Sequence, residues 1–146
     1  MFRGNHITRV DEKGRLKLPA EFKRQIEEEY GGQFYITSRD GKTAEIHPMK
    51  EWEKFEAKLA AIPSFNPAKK KLLKRLNYYG QTAEMDGQGR VLLPQVLREK
   101  AKLLAEVVVA GSEWHLEVSN KEDYDREMEE VPMTLDDEME LSKNGL

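Results

Sequence analysis

Apolar and polar positions alternate at two different periods along this chain, and the two periods take turns. Leu16 and Leu18 alternate with Arg15 and Lys17, the period-two pattern of a strand with one buried face. Pro19 then suits the first turn of a helix on which Phe22, Ile26 and Tyr30 share one side, and Gly31-Gly32 stops it. Gln33 to Thr37 reads as a strand, Asp40-Gly41 as a turn and Ala44 to His47 as the returning strand. Pro48 opens a second helix carrying Trp52, Phe55, Leu59 and Ile62 on one stripe. The order then starts again. Asp86 to Leu93 forms a hairpin, and Pro94 starts a helix with Leu97, Ala101 and Leu104 on its buried face. Val107 to Ala110 and Trp114 to Val118 make a hairpin turning at Gly111-Ser112, and a last helix from near Lys121 puts Tyr124 where Trp52 stood. Each half therefore predicts hairpin, short helix, hairpin, helix, an α+β fold.

The restart is literal at one place. Asp11-Glu12-Lys13-Gly14-Arg15-Leu16-Lys17-Leu18-Pro19 returns 75 residues later as Asp86-Gly87-Gln88-Gly89-Arg90-Val91-Leu92-Leu93-Pro94. The Asp, the Gly-Arg pair, two alternating apolar positions and the Pro recur in register, so the unit is duplicated. Halves of about 70 residues are near the lower limit for burying a core alone, so they should share one or oligomerise. The chain divides into a first repeat (1–62), a basic connector helix (63–80), a second repeat (81–131) and an acidic tail (132–146). Asn66-Pro67 caps and starts the connector, whose Leu72, Leu73 and Leu76 form a narrow apolar stripe among Lys69, Lys70, Lys71, Lys74 and Arg75. A solvated basic face is the favoured reading of that helix over a phosphate-tracking one. The tail beyond Pro132 is expected to be frayed.

Charge distribution refines this picture more than its sum does. Ten acids against three bases leave Ser119–Leu146 at −7, so residues 1–118 carry +4 within an overall −3. A mildly basic body is compatible with nucleic acid without requiring it. There is no cysteine, hence no disulfide or thiolate site, which fits a reducing cytoplasm. No segment approaches the roughly 18 apolar residues of a membrane helix, and Met1 to His6 lacks a signal-peptide core.

The repeated loop is the candidate chemistry. A glycine-bearing turn presents Arg15 between Lys13 and Lys17, and arginine's planar fork suits guanine O6 and N7 or a phosphate. Arg90 has Gln88 and Leu92 at the equivalent flanks, so Arg15 is expected to dominate electrostatically. Asp11 and Asp86, with Gly14 and Gly89, are assigned to shaping the turn and orienting the arginine rather than to contact. Two matching tips on a pseudo-two-fold body suit duplex DNA. Against catalysis, both aspartates are explained by their turns, and His6, His47 and His115 are isolated, out of repeat register and without metal-ligand spacing. No enzyme activity, metal, cofactor, membrane or small-molecule substrate is assigned.

These residues also carry a resemblance. Met1-Phe2-Arg3-Gly4, His6, Asp11 to Arg15, Pro19-Ala20-Glu21-Phe22, Asn66-Pro67, Gly80, Ala83-Glu84, Asp86 to Arg90 and Pro94 together resemble the bacterial MraZ family over nearly the whole chain. That family is a double-repeat member of the AbrB-like, swapped-hairpin class. The resemblance implies two tandem repeats forming a pseudo-two-fold, β-barrel-like core with short flanking helices. It further implies a cytoplasmic, nucleoid-associated DNA-binding regulator, a repressor, encoded at the head of the division and cell-wall gene cluster. Its expected partners are short direct repeats of double-stranded DNA in its own promoter and further copies of itself in a ring-like homo-oligomer. The Asp-x-x-x-Arg motifs carry over to Asp11/Arg15 and Asp86/Arg90, with the arginines on DNA. Lys23, where the family often has Arg, and the acidic C-terminal stretch are departures. The alternative is an AbrB-like antitoxin or interaction module, in which the acidic tail would wrap a basic partner.

Overall fold

A computed structural model describes all of residues 1–146. Most of the expected strands and helices form, but the helix after Pro94 ends at Lys100, so Ala101 and Leu104 of its expected stripe lie beyond it. The strands are β1 (Asn5–Val10), β2 (Arg15–Lys17), β3 (Gln33–Thr37), β4 (Ala44–Pro48), β5 (Gln81–Glu84), β6 (Arg90–Leu92), β7 (Ala105–Ser112) and β8 (His115–Asn120). The helices are α1 (Ala20–Glu29), α2 (Met49–Ala60), α3 (Pro67–Tyr78), α4 (Gln95–Lys100), α5 (Lys121–Glu130) and α6 (Leu135–Ser142).

All eight strands form one antiparallel sheet in the order β5-β3-β4-β8-β7-β1-β2-β6, curled into a nearly closed barrel. The two repeats interleave: β1 pairs with β7, β3 with β5, β2 with β6 and β4 with β8. Exchanging β1–β4 with β5–β8 carries each neighbour pair onto another, except that β5 and β6 lack the ladder that joins β1 to β2. The sheet stays open there, so the hairpin expected over Asp86 to Leu93 does not close on itself: β5 completes its hydrogen bonds on β3 and β6 on β2. Two pairs map onto themselves and so lie on the pseudo-two-fold axis, β2·β6 at one end and β4·β8 at the other. Leu16 faces Val91 at the first end, and Glu45 faces Glu117 at the second. Neither half could fold into this sheet alone, because its strands finish their hydrogen bonding on the other half.

Inside the barrel lies a single apolar cluster drawn from both repeats, including Leu16, Leu18, Phe22, Ile26, Phe34, Ile36, Val91, Leu93, Leu97 and Leu116. A smaller cluster of Trp52, Leu59 and Leu76 seats α2 against α3. Phe55 is partly buried against it, while Ile62 falls beyond the helix and is exposed, so the expected stripe ends one turn early. In α3, Asn66 caps the helix by accepting from the amides of Ala68 and Lys69. Lys70, Lys71, Lys74 and Leu73 are exposed, whereas Lys69 is half-buried and donates to the Ile62 carbonyl.

Three local expectations need correction. Leu103, not Leu104, enters the core, because Lys102 adopts a positive φ of 55° after α4 and turns the chain inward one residue early. The β7–β8 turn falls at Glu113-Trp114, with Glu113 at φ 58°, and Gly111 stays in the strand, where the backbone carbonyl of Phe2 crosses too closely for a side chain. The acidic tail is not frayed: Thr134 and Asp137 form a capping box that starts α6, although every residue of that helix is exposed.

Candidate nucleic-acid interface

The two loops at the β2·β6 end of the axis are built alike, bond for bond. In the first, the Asp11 carbonyl accepts from the Gly14 amide at 3.0 Å, and Asp11 Oδ1 accepts from the amides of Lys13 (3.0 Å) and Arg15 (2.8 Å). Asp11 Oδ2 accepts from Arg15 Nε at 2.8 Å. In the second, the Asp86 carbonyl accepts from Gly89 at 3.0 Å, Oδ1 from Gln88 and Arg90 at 2.9 Å each, and Oδ2 from Arg90 Nε at 3.0 Å. The Arg15 and Arg90 amides chiefly, helped by the guanidinium groups, hold both carboxyls below the ordinary aspartate range. Using Nε to grip Asp leaves each arginine's two terminal nitrogens free to donate, on a side chain about 30% exposed (31% and 26%). An arginine so braced has lost much of its conformational freedom before any ligand arrives.

Both glycines are needed for their backbone conformation, while the atoms nearest them are the ends of flexible side chains. Gly14 and Gly89 sit at φ 84° and 77°, and a Cβ would meet Arg98 at the first and Lys23 at the second. Lys23 and Arg98 are themselves 75 residues apart, so each loop is backed by the same position on the opposite repeat's helix. The loops also interlock: the Gly89 carbonyl accepts from Leu18 N, and the Gly14 carbonyl from Leu93 N. Sequence reasoning passed over Arg98, yet the 75-residue offset applied to Lys23 would have found it.

The lysines are arranged differently from the simple flanking picture. Lys13 is exposed on the first loop. Lys17 pairs with Arg90 across β2·β6, and its ammonium donates to the Gln88 carbonyl at 2.9 Å. It therefore belongs in space to the second tip. Leu92, its repeat counterpart, stands opposite Arg15 and is 45% exposed. Each tip thus has one arginine and one lysine, and the expected lysine-poor second tip is not what the fold assembles.

The histidines are not all isolated, in contrast to the expectation. His6 stands alone, edge-on to Phe22 and 3.5 Å from Glu21. His47 and His115 come together at the other end of the axis, their rings stacked at 4.4 Å beside Glu45. The pairing of β4 with β8 joins residues 68 apart in sequence, a proximity that no local spacing signals.

Comparison with known proteins agrees with this architecture. The family described as "MraZ protein, putative antitoxin-like" matches residues 1–75 and 80–142. The chain belongs to the MraZ family. It is 65% identical over 146 residues to the "Transcriptional regulator MraZ" of Acidobacterium capsulatum and 56% identical over 147 residues to that of Koribacter versatilis, covering the whole of both chains in each case. To the protein of the same name in Escherichia coli O9:H4 (strain HS) it is 35% identical, over 87% of this chain and 90% of the relative. No helix is long and apolar enough to cross a membrane.

Proposed function

We propose that the protein is a sequence-specific DNA-binding transcriptional regulator that acts as a repressor of a division and cell-wall gene cluster, its own promoter included. The observation that carries this reading is the pair of identically braced arginine tips at one end of the two-fold axis. Arg15 and Arg90 read bases or grip phosphate, Lys13 and Lys17 neutralise phosphate, and Asp11, Gly14, Asp86 and Gly89 hold the tips in shape. The names of the relatives support it, since each is called a transcriptional regulator. One chain offers few base-reading groups, so several copies in a ring-like homo-oligomer engage short direct repeats together, at spacings near one helical turn of about 10 bp.

Fluorescence anisotropy tests it, with duplex DNA from immediately upstream of the gene against a shuffled duplex at two salt concentrations. Selective binding that weakens with salt and is lost in Arg15→Ala is expected, and affinity should climb with the number of repeats. A flat salt response, or equal binding to both duplexes, would overturn the reading and move attention to a protein partner.

A further inference from the structure

At the β4·β8 end of the axis the two repeats place their equivalent glutamates, Glu45 and Glu117, directly opposite each other. On one side of that pair the neighbours are Thr43 and Ser119, whose hydroxyls approach to 3.4 Å. Repeat symmetry would put the same pair of small hydroxyl residues on the other side. Histidines stand there instead, His47 at the Ser119 position and His115 at the Thr43 position. The fold thus has a working solution to this packing problem and does not use it twice.

The two imidazoles converge on one carboxylate oxygen. Glu45 Oε1 lies 2.9 Å from His47 Nε2 and 4.0 Å from His115 Nε2, and all three donor atoms lie within 4.8 Å of one another. Tetrahedral coordination by such ligands, with bonds of about 2.0–2.2 Å, requires donor separations of about 3.3 Å, within reach of small side-chain rotations. We propose that Glu45, His47 and His115 form a binding site for a divalent transition-metal ion of the zinc class. Two imidazoles and one carboxylate make a borderline donor set, suited to Zn²⁺ or Co²⁺ rather than to Mg²⁺ or Ca²⁺.

The surroundings agree with that assignment. His115 is half-buried and stacks on the His47 ring, so the two imidazoles hold each other beside Glu45. Metal binding would displace the proton that His47 Nε2 and Glu45 Oε1 share across their 2.9 Å contact. Trp52 lies against the His47 ring at 4.8 Å and orients it. His47 and His115 also line an open cleft of about 420 Å³ shared with Arg39, Lys54, Lys58 and Trp114, which leaves room for a solvent ligand. Arg39 Nε, 3.5 Å from Glu45 Oε2, opposes a second cation and leaves Oε1 as the donor oxygen. The ion would tie β4 of one repeat to β8 of the other, opposite the arginine tips.

The test titrates chelator-treated full-length protein with Co²⁺ alone and Zn²⁺ alone, following cobalt absorption and binding heat. One equivalent with the visible spectrum of a four-coordinate site is expected. His47→Ser with His115→Thr, which installs the repeat's own residues, should weaken binding at least about 100-fold, and Glu45→Gln should weaken it as well. Arg39→Gln should tighten it by roughly tenfold at low salt. Absence of a stoichiometric site, or undiminished binding by the double histidine variant, would overturn the proposal. Should the variants fail to fold, NMR of the wild-type histidine rings decides: metal must shift His47 and His115 and spare His6, and any other pattern refutes the site.

Discussion

The two ends of the pseudo-two-fold axis follow opposite rules. At the β2·β6 end the duplication is preserved down to the hydrogen bonds of the Asp-Arg loops, with a cation behind each, and departs where Leu92 stands in place of Lys17. At the β4·β8 end the same duplication places two glutamates face to face and then departs from itself, with histidines on one side and hydroxyls on the other. A symmetric end suits a ligand that is itself repetitive, because each tip meets an equivalent target. An asymmetric end suits a single ligand, since an ion or small group near the axis needs only one set of donors. The barrel between them is indifferent to this difference, which resides in side chains on its outer face.

The largest expected effect comes from breaking what both ends share. Leu16 is fully buried on the axis, so Leu16→Ala should cost about 2–5 kcal/mol of stability in urea unfolding, with tips and histidines lost in one transition. A separate, earlier unfolding of either end would show that the interleaved sheet does not bind the repeats into one cooperative unit. Next in size are the tips. Arg15→Ala and Arg90→Ala should each remove about 1–3 kcal/mol of discrimination between specific and shuffled DNA in anisotropy titrations. The matched geometry predicts similar losses for the two. A loss confined to Arg15 would restore the unequal tips suggested by local sequence.

Much of this was legible before any coordinates. Alternation at Arg15 to Leu18 located the strand, Pro19, Pro48, Asn66 and Pro94 located helix starts, and the repeated Asp-x-x-Gly-Arg located the tips. What was not legible depended on contacts between repeats. Lys17 changes tips because β2 pairs with β6, and His47 meets His115 because β4 pairs with β8. Leu103 replaced Leu104 for a different reason: a positive φ at Lys102, a residue type that does not announce one, shifts the burial register.

A smaller effect is expected from loosening the braces. Asp11→Asn and Asp86→Asn keep an acceptor for the loop amides but lose the ionic bond to the arginine Nε, so selectivity should fall less than in the alanine variants. The pH dependence has a defined sign. Both carboxyls titrate below their unfolded value near 3.8, so their hold on the loops is complete above it and disappears as pH falls through the lowered values. Arginine Nε–H NMR signals should therefore persist through mild acid and broaden only below that range. Broadening already near neutral pH would mean the tips are not held by these aspartates.

The smallest expected effect concerns the exchanged lysine. Lys17 reaches the second tip, while its counterpart Leu92 leaves the first tip without an equivalent cation from across the strand pair. If Lys17 faces a phosphate, Lys17→Gln should weaken specific and shuffled DNA alike and reduce the salt slope by about 1. Leu92→Lys supplies the missing cation and should raise that slope by a similar amount, since both positions are exposed and neither supports the core. Together the two variants move one charge from one tip to the other at constant net charge. An unchanged slope in the combined variant, with opposite changes in the single ones, would show that the tips are electrostatically equivalent on DNA. An uncompensated change would mean that the tips approach the duplex differently, and that the symmetry of the free protein is already broken at the end that preserves it best.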